Sequence, residues 1–390
     1  MRRNATLFVA ISLLSGFGSS AMSLVAGIWI LDLTGSPGRA ALAALCVYAP
    51  TLAGPWLGAL VDRVPRRPLV VAANLALAAT LPSLLAVRGP DQVWLIYGVA
   101  AAYGVSYLLI DAGETALLPA ALPAAELGHV NGWRSSAQEG MKLIAPLAGA
   151  GLYAWQGGHL VALVSAAVPI LVAALYLTLR LTVPPAGTAP GRPPRGVRVG
   201  LTALLGHPVL RVCVALAAVA IAMSGFTTAA GYAIVVDDLG LPATFLGVLL
   251  SAQGGGSIVA GAVVGRLIAR RGPLAVAAAG TALFAASCLI RCVPWWPAVL
   301  AASVAAGAGL VSALVAAVTA IQTQTPDALL GRVGATANMV MFGPIALANP
   351  LGAAAVGWGG RPPLVAAALA CLGACALAYR AATAPVAVRA

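Results

Sequence analysis

Tyr103, Tyr107, Asp111 and Glu114 follow one another at spacings of 4, 4 and 3, which sets all four along one face of a helix. Asn131, Ser135, Gln138 and Lys142, with Glu139 beside them, repeat the pattern at 4, 3 and 4. Ionisable groups inside apolar stretches are costly and point to a functional site. With Arg134, this region carries three acids, Asp111, Glu114 and Glu139, against two bases, Arg134 and Lys142. Pairing both bases leaves one carboxyl without a countercharge. Such a group in a low-dielectric site holds a proton readily, as proton coupling requires. Lys142 pairs with Glu139 or Asp111, and Asp111 is the expected acid left over. A plainer alternative makes Glu139 and Lys142 an i, i+3 pair that ties one helix in place, while Glu114 and Arg134 reach the aqueous surface.

The elements that hold these residues are membrane helices. Of the 390 residues, 61% are hydrophobic and 8% charged, where a soluble domain has about 25% charged. A crossing takes about 20 apolar residues, and apolar runs fall near 7–33, 40–61, 68–87, 93–117, 132–154 and 160–180, then 209–236, 243–267, 273–290, 297–320, 332–357 and 363–382. These are spans one to twelve, giving an all-α integral membrane fold of two six-helix bundles, 1–180 and 209–390, joined by a basic, Pro-rich linker over 181–208. Within the linker, Val197–Leu205 reads as a short surface helix. Lys142 lies roughly 15 Å into span five, near the middle of a ~30 Å apolar layer.

Placing the amino terminus inside puts sixteen Arg residues on the cytoplasmic side and four, Arg39, Arg88, Arg291 and Arg361, outside. Both termini are therefore expected in the cytoplasm. The net charge of +12 is then a topology signal, answered by anionic lipid and not by nucleic acid. Trp29, Trp94, Trp155, Trp295, Trp296 and Trp358 fall at the outer interface, where an aromatic belt belongs. Asp32, Asp237 and Asp238 lie at outer span ends and read as solvated helix-end charges. The six Cys residues, with no CxxC pair, read as small buried hydrophobes. Met1-Arg2-Arg3 followed by an apolar run reads as an uncleaved first span.

The halves repeat. Gly58-Ala-Leu-Val-Asp62-Arg63 matches Gly261-Ala-Val-Val-Gly265-Arg266 at an offset of 203, and the same offset joins Pro123 to Pro326, Gly149 to Gly352, Trp155 to Trp358 and Gly157 to Gly360. With this repeat and the basic turn Gly58–Pro68 between spans two and three, the chain resembles a major facilitator superfamily transporter along its whole length. Gly58, Leu60, Asp62, Arg63, Arg66 and Arg67 are similar to the family's signature at that turn, with Pro65 where the family usually has Gly. The resemblance implies that Asp62 latches the cytoplasmic side by contacting the start of span eleven near Gly331 and Arg332, an arrangement suited to a carboxylate at a helix amino terminus.

Gly132, Pro146 and Gly149 resemble the antiporter signature of drug exporters in span five, with Met141, Ala145 and Ala150 in place of glycines. Ala116–Leu127 and Gln324–Val333 are similar to the drug:proton antiporter branch that includes macrolide and siderophore exporters. Ser19 and Ser23, Tyr103 and Tyr107, Gln138, Ser224, Thr228, Tyr232 and Asn338 fall on spans that line the central cavity in this family. A cavity with few fixed charges suits a medium-sized amphipathic organic molecule.

His129, His159 and His207 stand apart, so no metal or nucleophilic site is expected, and no GxxxxGK[ST] loop offers ATP drive. The chain is read as no enzyme and as needing no cofactor beyond a proton gradient. The expected function is export of small amphipathic organic molecules by proton antiport from the cell membrane, by a monomer. Import or facilitated diffusion is the rival within transport, and a non-transporting sensor or assembly partner the rival outside it.

Overall fold

A computed structural model describes residues 2–50, 64–181 and 197–383 of the chain. Gly58, Leu60, Asp62 and Arg63 of the basic turn lie outside the described residues, as do the side chains of Ser135, Glu139 and Arg332 and the surroundings of Gly132.

Among the described residues every regular element is helical. Span one is Arg2–Thr34, span two begins as Pro37–Tyr48, and span three is Arg66–Thr80 with a 3-10 turn at Leu81–Ala86. Span four is Val93–Ala121, and spans five and six form one element, Ala124–Thr178, interrupted at Gly157. After a short helix, Val197–Gly206, span seven runs through Pro208–Phe226, Thr228–Ala233 and a π-turn at Ile234–Asp238. Spans eight, nine and ten are Phe245–Arg271, Pro273–Ile290 and Trp296–Gln324. Span eleven is Asp327–Phe342 continued by Ile345–Ala355, and span twelve is Arg361–Thr383.

Ten described stretches are long and apolar enough to cross a membrane. One of them, Gly140–Thr178, holds two crossings joined at Gly157, and of span two the described part is Pro37–Tyr48. The twelve expected spans follow. Leu147, Ile170, Leu347 and Leu369 are exposed, as suits helices whose outer faces meet lipid.

Local sequence explains the turns. Ser36 caps span two by accepting a hydrogen bond from the Arg39 backbone at 3.3 Å, with Pro37 in the first helical position. Gly157 has φ +71° and Gly359 has φ +102°, a region where only glycine sits without strain. These two residues turn the chain from span five to six and from eleven to twelve. The 203-residue offset pairs Gly157 with Gly360, so the second turn comes one residue early, and Gly360 instead packs against Ile234 and Ala233.

The repeat extends to packing. A side chain at Gly149 would meet Ala21 of span one, and one at Gly352 would run into the Phe226 carbonyl of span seven. Gly104 presses on the Val47 carbonyl and Pro50 of span two, while Gly307, 203 residues later, presses on the Gln253 carbonyl of span eight. Gln253 itself stands 203 residues after Pro50. The Gly104 and Gly307 pair carries no motif and emerges only from the structure.

The chain divides into two compact units, Met1–Pro193 with Leu241–Ser251, and Pro194–Gly240 with Ala252–Ala390. In the first, Phe8, Ile11, Val70, Leu117, Val172 and Tyr176 share a core. In the second, Leu216, Ala317, Ala337, Met341 and Ile345 do, joined by Leu204 from the Val197–Gly206 helix.

One reading of the sequence is corrected. Trp29 is not in an interfacial belt: it is 5% exposed, because Gly158 leaves a notch for its indole and His159 meets the ring edge-on at 5.2 Å. Asp32 and Asp238 are exposed at helix ends, as expected, and each also has a partner. Asp32 accepts a hydrogen bond from the Tyr153 hydroxyl at 2.8 Å, and Asp238 pairs with Arg361 at 3.1 Å.

Candidate functional site

Span four positions the centre of the first unit. Tyr103 and Tyr107 line a cavity of about 80 Å³ with Ser19 and Ser23 of span one and Val47 of span two. Met22, Ile96 and Val99 make the rest of its wall largely apolar. Gly104 lies between the two tyrosines and lets spans two and four touch backbone to backbone beside the cavity. Four residues that the family resemblance implied as cavity-lining, Ser19, Ser23, Tyr103 and Tyr107, thus meet in one place. The Tyr103 ring reaches inward toward Ser165 of span six.

One turn beyond Tyr107 the same helix face becomes charged. Glu114 Oε2 lies 2.8 Å from Arg134 Nη2 of span five, with the two side chains 7% and 13% exposed. Arg134 Nη1 also donates to Asn131 Oδ1 at 3.1 Å, and the Tyr176 hydroxyl of span six is buried beside Glu114. The alternative in which Glu114 and Arg134 reach the aqueous surface does not hold. Span four runs on to Ala121 and span five starts at Ala124, so both residues sit about two turns or more inside the helix ends. Leu117, Leu118 and Val130, on the adjoining turns of the two helices, are buried in the first unit's core. Gly113, against Val70, brings span three close to the same region.

Asp111 is exposed on the unit and makes no ion pair among the described residues, yet it lies within electrostatic reach of the Arg134 guanidinium. Arg134 therefore pairs with Glu114 and lies within electrostatic reach of Asp111. Burying an ion pair costs several kcal/mol of desolvation per charge, recovered only with good geometry and further hydrogen bonds, and Asn131 supplies one of those bonds.

The remaining candidates spread out. Lys142 and Gln138 are exposed on span five, while Pro146 and Gly149 are buried, the latter against Ala21. Arg66 is exposed and Arg67 half-buried at the start of span three. In the second unit Ser224 and Thr228 are half-buried on span seven, Tyr232 is buried one turn on, and Asn338 is exposed on span eleven. Arg291 was missed as more than a topology charge. Its guanidinium turns inward, with Nη2 3.1 Å from Ser303 Oγ and 3.4 Å from Gln253 Oε1. Loop position alone gives no sign of this.

The family model described as Major Facilitator Superfamily matches residues 7–232 and again 212–390, together nearly the whole chain. The chain belongs to the major facilitator superfamily.

Solved structures agree on the fold. The chain is similar to the nucleoside transporter NupG, with TM-score 0.70 and 13% identity over 97% of this chain and 99% of that one. It is similar to a bacterial homologue of the iron transporter ferroportin in an inward-facing state, with TM-score 0.69 and 16% identity over 98% and 99%. A bacterial homologue of the human lysosomal transporter Spinster gives TM-score 0.71 and 16% identity over 97% and 96%. No curated protein matches the chain. As a member of this superfamily it is a multi-pass membrane transporter, and the unlike cargoes named for its structural neighbours leave its own to be argued from its residues.

Proposed function

We propose that this transporter exports small amphipathic organic molecules from the cell in exchange for protons. The observation that carries the reading is the face of span four: beyond the apolar cavity at Tyr103 and Tyr107, within two turns, the same helix carries Asp111 and Glu114, the latter paired with Arg134. Glu114 keeps Arg134 in the buried pair. Asp111, exposed and without an ion pair among the described residues, takes the coupling proton on one side of the membrane and releases it on the other. The cavity wall carries hydroxyls and no charge, which suits a cargo with an apolar body. The resemblance of Gly132, Pro146 and Gly149 to an exporter signature supports the outward direction.

In this reading the cargo site passes between the two sides of the membrane by alternating access of the two six-span halves. Asp62, with Gly58, Arg63, Arg66, Arg67 and Arg332, latches one of the two states. Both termini face the cytoplasm, the basic loops meet anionic lipid, and the protein works as a monomer.

Expression in an efflux-deficient host challenged with antibiotics and siderophores tests this. Resistance that a proton uncoupler removes supports it, and resistance indifferent to the uncoupler refutes proton drive. Asp111→Asn should lower transport driven by a pH gradient at least about tenfold while leaving substrate counterflow, which needs no net proton movement. Full gradient-driven transport in both Asp111→Asn and Glu139→Gln would sink the coupling assignment.

A further inference from the structure

Spans seven and eleven of the second unit both break along their length. Span seven stops at Phe226, passes through Thr227 at φ −85° and ψ 2°, and restarts at Thr228. Span eleven stops at Phe342 and restarts at Ile345 after Gly343-Pro344. In membrane proteins, irregular backbone at depth is tolerated where it lines a cavity or is buried in protein.

Asn349 of span eleven faces the break in span seven. It is 1% exposed. Thr228 Oγ1 lies 3.5 Å from its Oδ1 and 3.4 Å from the Ser224 carbonyl, so one hydroxyl proton serves two long contacts. The other end of the amide, Nδ2, is buried with no hydrogen-bond partner among the described residues. A Cβ added to Gly225 would come within 3.1 Å of Oδ1, and Gly352, three residues after Asn349, abuts the Phe226 carbonyl. Glycines thus hold the two spans together at the amide, and the two hydroxyl residues beside it, Ser224 and Thr228, are half-buried.

An unpartnered buried donor costs about 1–3 kcal/mol, and helix packing does not demand this one. The first unit shows why. Positions 203 residues earlier hold Ala21 for Ser224, Met22 for Gly225, Val25 for Thr228 and Pro146 for Asn349. There Gly149 closes on Ala21 with no polar side chain at those four positions. The fold makes the same helix crossing from apolar residues in one half and from an amide, two hydroxyls and a glycine in the other.

We infer that Asn349, held by Thr228 and Ser224, is a subsite that donates a hydrogen bond from Nδ2 to an uncharged carbonyl oxygen of the transported molecule. No ionisable side chain belongs to the cluster, so the group it recognises is neutral. The inference rests on the proposal that the cargo is a small organic molecule.

The test uses the full-length protein in lipid nanodiscs and two matched tricyclic probes, 9-fluorenone and fluorene, which differ by one carbonyl. Binding is read from quenching of tryptophan fluorescence. The wild type should bind fluorenone about tenfold more tightly than fluorene, the factor that one net hydrogen bond supplies. Asn349→Leu should bring the two within about twofold, and Thr228→Val should fall between. A preference undiminished in Asn349→Leu overturns the subsite. Should that variant fail to purify, an undiminished preference in Thr228→Val overturns it equally. Equal binding of both probes by the wild type, weakened by Tyr107→Ala, removes the subsite and leaves the transport reading standing. No binding of either probe overturns both.

Discussion

The two halves of the molecule answer the same positions in opposite ways. Where the first has Glu114, Arg134, Gln138 and Lys142, the second, 203 residues on, has Ala317, Ala337, Met341 and Ile345. Those four are 0%, 0%, 2% and 7% exposed and belong to the second unit's hydrophobic core. Asp111 is matched by Leu314, Tyr103 by Ala306 and Tyr107 by Leu310. A six-helix bundle of this design therefore packs without charge between its fourth and fifth, or tenth and eleventh, spans. The ion pair in the first half is no requirement of the architecture, so its desolvation cost is accepted for what the charges do. Replacing a buried ion pair by well-packed apolar residues is often neutral or stabilising, and the second half is that replacement made within one chain.

The sharpest way to break this comparison is to convert one half toward the other. Arg134→Ala alone leaves Glu114 buried beside Leu117 and Val130 without its partner, and should cost about 3–5 kcal/mol, seen as a large drop in melting temperature in detergent. The double variant Glu114→Ala with Arg134→Ala copies Ala317 and Ala337 and should recover most of that loss while gradient-driven transport stays abolished. If the double variant is no more stable than the single one, the first unit needs the pair for folding and the contrast between the halves fails.

Glycine contacts probe the part of the comparison that the halves share. At Gly352 an added Cβ runs into the Phe226 carbonyl, whereas at Gly149 it reaches only 3.0 Å from the Ala21 Cβ and 3.1 and 3.2 Å from that residue's Cα and carbonyl oxygen. A backbone carbonyl in a helix has little room to retreat. Gly352→Ala should therefore cost about 1–3 kcal/mol and Gly149→Ala visibly less, compared by melting temperature. Equal shifts would show that span five is held on span one as rigidly as span eleven on span seven.

How far this was legible before the structure depends on what each feature needs. The repeat was visible in part because close helix contacts keep residues that cannot change freely: Gly149 and Gly352, 203 apart, each abut a neighbouring span. The common face of Tyr103, Tyr107, Asp111 and Glu114 was visible because it follows from helical period alone. Which base meets which acid was not, since that depends on how two antiparallel helices are staggered. Hydropathy ended span four near residue 117, a turn short of Ala121, and so drew Glu114 toward the surface. Gly104 and Gly307 were passed over because their partners are carbonyls of distant residues. The break in span seven at Thr227 has no proline or glycine at the position itself, whereas Pro344 does mark the one in span eleven.

The smallest effect tests the comparison through exposure. Each half has an ionised or hydroxyl tie near an end of its first span: Asp32 with Tyr153 in one, Asp238 with Arg361 in the other. The Arg361 and Asp238 side chains are 51% and 27% exposed, against 13% and 7% for Arg134 and Glu114. Two ion pairs of similar length, 3.1 Å and 2.8 Å, thus sit in different dielectric settings. Arg361→Ala should cost no more than about 1 kcal/mol, and the cost should vanish near about 1 M salt, where screening reaches within a few ångströms. The Arg134→Ala loss should survive the same salt, because ions do not enter the core around Glu114. A loss at Arg361 that ignores salt would mean the second half also keeps a charge pair out of water, and the division of labour between the halves would have to be redrawn.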